Sequence, residues 1–368
     1  MRKIMAITRN TKNVLYYQLG TGSFENLGTL VQDRRKLAGS RSSVLFYVDQ
    51  YFQDKPLLKK LPATSGDKVI IVDTGSEPSV EYVDALADGA KAMLGGELPC
   101  CIVGIGGGAV MDTAKAVANL LTNPGKAEDY QGWELVKNPA IYKIGVPTVS
   151  GTGAECSRTC VLMNERRKLK LGMNSDYTVY DQLVLDPSLC RTVPREQFFF
   201  TGLDTYMHCF ESIQGSYRNI IVDKLSLAAM DLCREVFLGS GDMMSDENLE
   251  KMMVASYMGG MAAGNTGVVH PISAGLSVVL HVPHGKANCY ALSVLGDIYP
   301  KGHEEFTEML AKNNIHLPKG ICRDLSAEQY SALYEGSIVH EKPLTNALGL
   351  DYRNILTEER LTAMFKAM

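Results

Sequence analysis

Cys101-Ile-Val-Gly104-Ile-Gly106-Gly107-Gly108-Ala-Val-Met-Asp112-Thr-Ala-Lys115 is the stretch on which the fold turns. Its first residues form a short β-branched run and its last open a helical pattern, so three glycines stand where a strand hands over to a helix. Glycine at that junction lets the backbone approach a pyrophosphate closely, while the free N–H groups of the helix N-terminus point at the anion. An ordinary tight strand-to-helix turn accounts for the same residues, and the spacing departs from Gly-x-Gly-x-x-Gly.

Working outward, residues 43–48, 68–72, 141–147 and 182–185 read as further buried strands, and 80–94 and 111–121 as helices between them. This alternation is that of βα units, and a parallel sheet follows, with 182–185 closing it. Beyond Pro194 the texture changes to long apolar-periodic stretches over 223–238, 247–263 and 274–280, without a convincing strand. The sequence therefore predicts an α/β dinucleotide-binding domain over 1–190 and an all-helical metal- and substrate-binding domain over 191–368, the boundary lying at the Asp186-Pro187 turn. No internal repeat is evident.

The composition excludes several classes. A net charge of −4 over 368 residues and the lack of lysine-rich runs give no field for nucleic acid. Nine irregularly spaced cysteines read as reduced thiols in a cytoplasmic protein. The N-terminal residues show no apolar signal core, and the mildly apolar stretch 253–283 is interrupted by Asn265, His270 and Pro271, so no membrane span is expected.

A second constellation lies in the helical half. If residues 195–215 are helical, Asp204 and His208 stand one turn apart on one face, and His270 and His284 follow. One carboxylate and three imidazoles suit a borderline divalent ion, zinc or ferrous iron, with a position left for substrate. A solvated helix face is the plainer reading of Asp-x-x-x-His by itself. His281 reads as a polar core or pocket residue, because Pro283 puts it and His284 at a helix entry. His303, His316 and His340 read as surface or packing residues, and Glu165-Arg-Arg-Lys168 as a solvated turn.

Pro147-Thr148-Val-Ser-Gly151-Thr152-Gly153-Ala-Glu155 is a second loop leaving a strand, and its hydroxyls and glycines fit phosphate and ribose recognition. Asp49, at the end of the first strand of the sheet pattern, is placed to accept from the adenosine ribose hydroxyls and to repel a 2′-phosphate, favouring NAD over NADP. A turn-starting aspartate is the alternative there.

Gly-Gly-Gly-x-x-x-Asp-x-x-Lys, Pro-Thr-x-x-Gly-Thr-Gly-x-Glu, Asp-Pro, Asp-x-x-x-His, His and His, in that order over nearly the whole chain, resemble the iron-containing (group III) alcohol dehydrogenases. The resemblance implies an N-terminal Rossmann-like domain, a C-terminal helical domain and a cleft between them for NAD and a divalent metal. It implies Asp204, His208, His270 and His284 as metal ligands and catalytic centre. It implies cofactor contacts from Asp49, Gly106, Gly107, Gly108, Asp112, Thr148, Thr152 and Lys170, the last near the nicotinamide ribose. Within that family the segments 129–133, 172–176, 215–219 and 340–349 most resemble members that oxidise C8 of 3-deoxy-D-manno-octulosonate on the way to an 8-amino sugar of lipopolysaccharide. Two positions depart from the family pattern. Ala109 replaces a serine after the glycines, and Ala274 stands where many members carry a further histidine that relays protons.

The expected activity is NAD- and metal-dependent oxidation of a primary alcohol to an aldehyde by a homodimer, with Arg218, Lys342 and His281 as candidate substrate contacts. Three alternatives stay open: a general small-alcohol or polyol dehydrogenase, a cyclase or lyase of the dehydroquinate-synthase type, and a non-catalytic NAD-binding sensor. The cyclase would favour a Glu/His/His site among basic phosphate-binding residues.

Overall fold

A computed structural model describes residues 12–39 and 43–368. β1 (Tyr16–Leu19) and α1 (Leu27–Leu37) lead into β2 (Val44–Asp49), the short α2 (Pro56–Lys59), β3 (Lys68–Val72), α3 (Val80–Met93), β4 (Cys101–Gly106) and α4 (Gly108–Leu120). β5 (Gly132–Trp133), β6 (Lys143–Pro147), β7 (Thr159–Asn164), β8 (Leu169–Asn174) and β9 (Gln182–Leu185) follow. The rest is helical: α5 (Arg195–Gln214), α6 (Ile220–Leu238), α7 (Asp246–Gly260), α8 (Val269–Leu280) and α9 (His284–Ser293) come first. α10 (Pro300–Lys312), α11 (Ala327–Ile338), α12 (Glu341–Leu348), α13 (Tyr352–Ile355) and α14 (Glu358–Ala367) complete the chain.

Six strands form one sheet in the order β1-β9-β6-β4-β2-β3, every pairing parallel. The central strands β4 and β6 are buried along their whole length, as a parallel sheet covered on both faces requires. The two-residue period of β2 divides its side chains between two cores: Leu45 and Tyr47 pack with residues of α3 and α4, and Val44, Phe46 and Val48 with residues of α1. From β2 the chain runs outward to β3, then returns past β2 to β4 and on to β6. The loops after β2 and β4 therefore diverge, and the crevice at that switch point lies between Asp49 and Gly106, the last residues of the two strands.

The strands expected at 43–48, 68–72, 141–147 and 182–185 are present within a residue or two. β9 does not close the sheet, however, because β1 lies beyond it. Tyr16, Tyr17 and Leu19 of that edge strand are exposed, so no buried run announced it. The antiparallel hairpin of β7 and β8, which joins β5 in a small second sheet, was also not anticipated. Its turn is the charge run 165–168, with Lys168 in the left-handed region at φ 50°. The C-terminal helices share one large core in which Phe198, Phe199, Leu203 and Met207 of α5 are central. Among the described residues no helix is long and apolar enough to cross a membrane.

Candidate metal and dinucleotide site

α5 is buried on nearly every face from Phe198 to Ser212, and this inflexible rod carries Asp204 and His208 one turn apart. α8 brings His270 in at its second position. It ends at His281, whose left-handed backbone (φ 52°) reverses the chain, and Pro283 then fixes the entry into α9, whose first residue is His284. Ligand atoms of Asp204, His270 and His284 all lie within 4.8 Å of one another. Asp204 Oδ1 is 3.2 Å from His270 Nε2 and 3.5 Å from His208 Nε2, and Asp204 Oδ2 is 3.5 Å from His284 Nε2. The His208 and His270 rings are stacked with centroids 4.5 Å apart.

Two residues that the sequence reading did not single out hold this cluster. Glu211, fully buried on α5 and one turn past His208, receives the Nδ1 side of His270 at 2.5 Å and the Val269 N–H at 2.7 Å. Asn288 donates to Asp204 Oδ1 at 2.7 Å. The Glu211 signal was present in the chain, since Asp204, His208 and Glu211 fall at i, i+4 and i+7 on one helical stripe.

Burial raises the Asp204 carboxyl, but the three surrounding imidazoles outweigh it and hold the group well below the usual carboxylate range. Burial pushes His208 down to about 4. Burial, reinforced by the Lys170 ammonium, also lowers His284. His270 goes the other way: burial opposes the charge, yet Asp204 and Glu211 push it up to about 9. Two neutral imidazoles, an ionised carboxylate and a third imidazole between two carboxylates make a pocket that attracts positive charge. This donor set fits a borderline divalent cation.

The cluster opens into a cavity of about 1300 Å³, lined by Asp204, His208, His270 and His284. Of the other sequence-predicted residues, Gly108, Asp112, Thr152, Lys170, His281 and Lys342 line it as well. Lys170 reaches from β8 to Glu77 at 2.7 Å and to His284 Nδ1 at 3.3 Å, tying the hairpin to the candidate metal cluster. Lys342 lies over the Trp133 ring, 3.5 Å from its centroid, and donates to the Gly264 carbonyl at 2.8 Å.

Asp49, Gly106, Gly107 and Thr148 lie behind the lining instead. Asp49 caps the turn after β2, accepting from the Tyr51 N–H at 3.0 Å and from the Thr74 hydroxyl at 2.9 Å. A Cβ on Gly106 would meet Val110 Cγ2 at 2.5 Å, so this glycine is needed for the turn itself. In the second loop Gly151 (φ +135°) and Gly153 (φ +64°) serve chain packing: a Cβ on Gly151 would lie 1.9 Å from the Thr201 carbonyl oxygen, just upstream of Asp204. Ser256 of α7 receives the N–H groups of both glycines and donates to Glu155 at 2.6 Å. The loop is thus a joint between the sheet and α5 as well as a wall of the cavity. Arg218 is outside the lining, paired with Asp223 at 2.8 Å. His340, read from sequence as a surface or packing residue, is on the cavity wall.

The four segments that set this chain apart within its resemblance converge here too, through Trp133, Asn174, Tyr217 and the 339–345 stretch.

Comparison with known proteins matches this arrangement. The family described as iron-containing alcohol dehydrogenase matches residues 16–187, and its C-terminal counterpart, the Fe-containing alcohol dehydrogenase family, matches residues 198–316. The sulfoacetaldehyde reductase of Bilophila wadsworthia is 36% identical over 239 residues, 63% of this chain and 60% of that protein. Alcohol dehydrogenase 4 of Saccharomyces cerevisiae is 34% identical over 194 residues, 52% of this chain and 51% of that one. The alignments thus span between half and three-fifths of these relatives' lengths. The crystal structure of sulfoacetaldehyde reductase from Bifidobacterium kashiwanohense in complex with NAD+ superposes with a TM-score of 0.77 at 21% identity, covering 98% of each chain, a likeness of fold. Two family profiles that together span the sheet and the Asp204, His208, His270 and His284 cluster, on a fold shared from end to end, establish that the chain belongs to the iron-containing alcohol dehydrogenase family.

Proposed function

We propose that this protein is an NAD- and metal-dependent dehydrogenase that oxidises a primary alcohol of a polyhydroxylated sugar acid, C8 of 3-deoxy-D-manno-octulosonate being the favoured substrate. The observation that carries the reading is a single cavity shared by the glycine-turn helix, the Asp204/His208/His270/His284 cluster and the segments 129–133, 172–176 and 340–349. Asp204, His208, His270 and His284 would hold the cation, and the N-terminus of α4 would face the cofactor pyrophosphate. When bound, the cation supplies a Lewis acid and the nicotinamide a hydride acceptor.

The chain's own part is to hold those groups in register. Glu211 fixes the His270 ring with its Nε2 toward Asp204, and Asn288 keeps the Asp204 carboxylate turned toward the imidazoles. Lys170, between Glu77 and His284, is a donor at the junction of the two halves, where a cofactor ribose and the substrate would meet. Asp49 favours NAD by its charge at the switch point. Lys342 brings a positive charge to the cavity wall over Trp133, suited to a carboxylate. The Asp plus three His set weighs against the cyclase reading. Nine cysteines, all buried as thiols, fit a cytoplasmic protein.

A second reading, reduction of a small anionic aldehyde, is favoured by the 36% identity to sulfoacetaldehyde reductase. Both are tested by loading purified protein with Fe2+ or Zn2+ and following NADH. Formation of NADH from 3-deoxy-D-manno-octulosonate, at least about tenfold better in kcat/KM than from ethanol or butanol, is the expected result. Preference for sulfoacetaldehyde with NADH would establish the second reading, and equal use of simple alcohols would remove the sugar-acid assignment.

A further inference from the structure

We propose that His340 is a specificity-determining residue whose Nε2 accepts a hydrogen bond from a substrate hydroxyl other than the reacting one, so that the site selects polyols over mono-alcohols. The proposal deepens the dehydrogenase reading and rests on it for the identity of the cavity.

His340 follows α11 and lines the same cavity as Asp204 and His270. Its position is dictated by close helix packing. A Cβ on Gly275 of α8 would lie 2.5 Å from Ser337 Oγ and 2.7 Å from the Leu333 carbonyl oxygen, so α11 lies directly against α8 next to Ala274. Three residues past Ser337, the His340 ring therefore enters the cavity beside the α8 face that carries His270, Ala274 and Ser277.

The two ring nitrogens have different fates. One side of the ring faces the backbone of Gly336, which favours a proton there, whereas Nε2 is buried with no hydrogen-bond partner among the described residues. A ring whose N–H is committed to a carbonyl presents its other nitrogen as an acceptor. Burial, aided by the nearby Lys170 ammonium, keeps the ring neutral, lowering it to about 4. The complement of a neutral imidazole acceptor near an ammonium is a neutral donor, and in a site for alcohols that donor is a hydroxyl. The reacting hydroxyl belongs at the metal cluster, so a second hydroxyl on the same substrate is required. A mono-alcohol leaves the buried acceptor without a partner, a penalty that a polyol does not meet.

The test uses the full-length, zinc-loaded protein and the fluorescence of Trp133, the single tryptophan, which lines the same cavity. Glycerol, ribitol and D-gluconate are titrated in turn with NAD present. His340→Phe is expected to weaken binding of those that bind by roughly tenfold or more, while His340→Gln, whose amide oxygen also accepts, recovers most of it. In turnover, His340→Phe is expected to lose roughly tenfold in kcat/KM on the polyol and less than about threefold on 1-butanol. Unchanged metal content and NAD affinity in both variants separate this from a folding defect. Equal polyol affinity in the unmodified protein and His340→Phe, no signal from any of the three polyols, or equal losses on polyol and butanol would overturn the role of His340. A binding difference that persists when the unmodified protein forms no NADH from any alcohol would uphold His340 and instead remove the dehydrogenase reading.

Discussion

His270 shows how a single side chain is specified from two directions. Its Nε2 faces Asp204 at 3.2 Å and its Nδ1 faces Glu211 at 2.5 Å, so the ring is clamped between carboxylates before any cation arrives. Glu211→Gln keeps the size and a hydrogen bond but removes one charge, and it frees the ring to turn. The expected result is a 10- to 100-fold weaker metal affinity, measured by chelator competition, with little change in NAD affinity. His270→Ala removes the donor itself and is expected to abolish metal retention and turnover together. Full metal occupancy in Glu211→Gln would mean that the carboxylate only packs. At this scale the sequence was partly legible. Asp204 and His208 announce themselves by helical spacing, and His270 and His284 by the family order. Glu211 shares their helical stripe, but its role and that of His340 do not show, because a carboxylate behind a histidine and an imidazole at the end of a distant helix acquire meaning only when the chain brings them together.

Elements that bury both faces are legible because their residue types leave little choice. β2, β4 and β6 are such runs, and each appears where the β-branched pattern puts it. β1 is exposed at three of its four residues, and the β7–β8 hairpin mixes buried with partly buried positions and polar with apolar residues, so neither period was strong enough to read. The β4–α4 turn was legible, but for a reason only partly the expected one. Gly108 meets the cavity, whereas Gly106 is required because Val110 and Asp49 crowd it. Gly106→Ala therefore introduces a methyl 2.5 Å from Val110 Cγ2 and 3.1 Å from Asp49 Cβ. The expected cost is about 1–3 kcal/mol in urea unfolding, with loss of NAD binding as the turn is displaced. Gly108→Ala, whose Cβ would stand 3.2 Å from Thr152 Cγ2, is expected to cost less in stability. The reverse order would show that the turn adjusts around Gly106 and that the glycine there serves the ligand.

At the scale of the whole molecule, the binding cleft is held open at a cost in folding stability, and Asp112 makes that cost measurable. The residue sits on α4 where the sheet meets the β7–β8 hairpin; its Oδ2 accepts the Val161 N–H at 2.9 Å, while its Oδ1 is buried with no hydrogen-bond partner among the described residues. Burial raises its carboxyl from 3.8 to about 6, against the opposing pull of Lys115. Between those two values the folded chain holds a proton that the unfolded chain has released, so stability falls as pH rises through that window and is level above it. Asp112→Asn has no proton to lose. It should match the unmodified protein most closely near pH 4 and exceed it above pH 6, by roughly 1–3 kcal/mol at neutral pH. Urea unfolding at pH 4, 5, 6 and 7.5 measures the difference, and a gap that does not grow between pH 4 and 6 would show that Asp112 is ionised throughout. NAD affinity measured on the same samples then tells whether the ionised carboxylate, retained at this expense, contributes to cofactor binding in the cavity it lines.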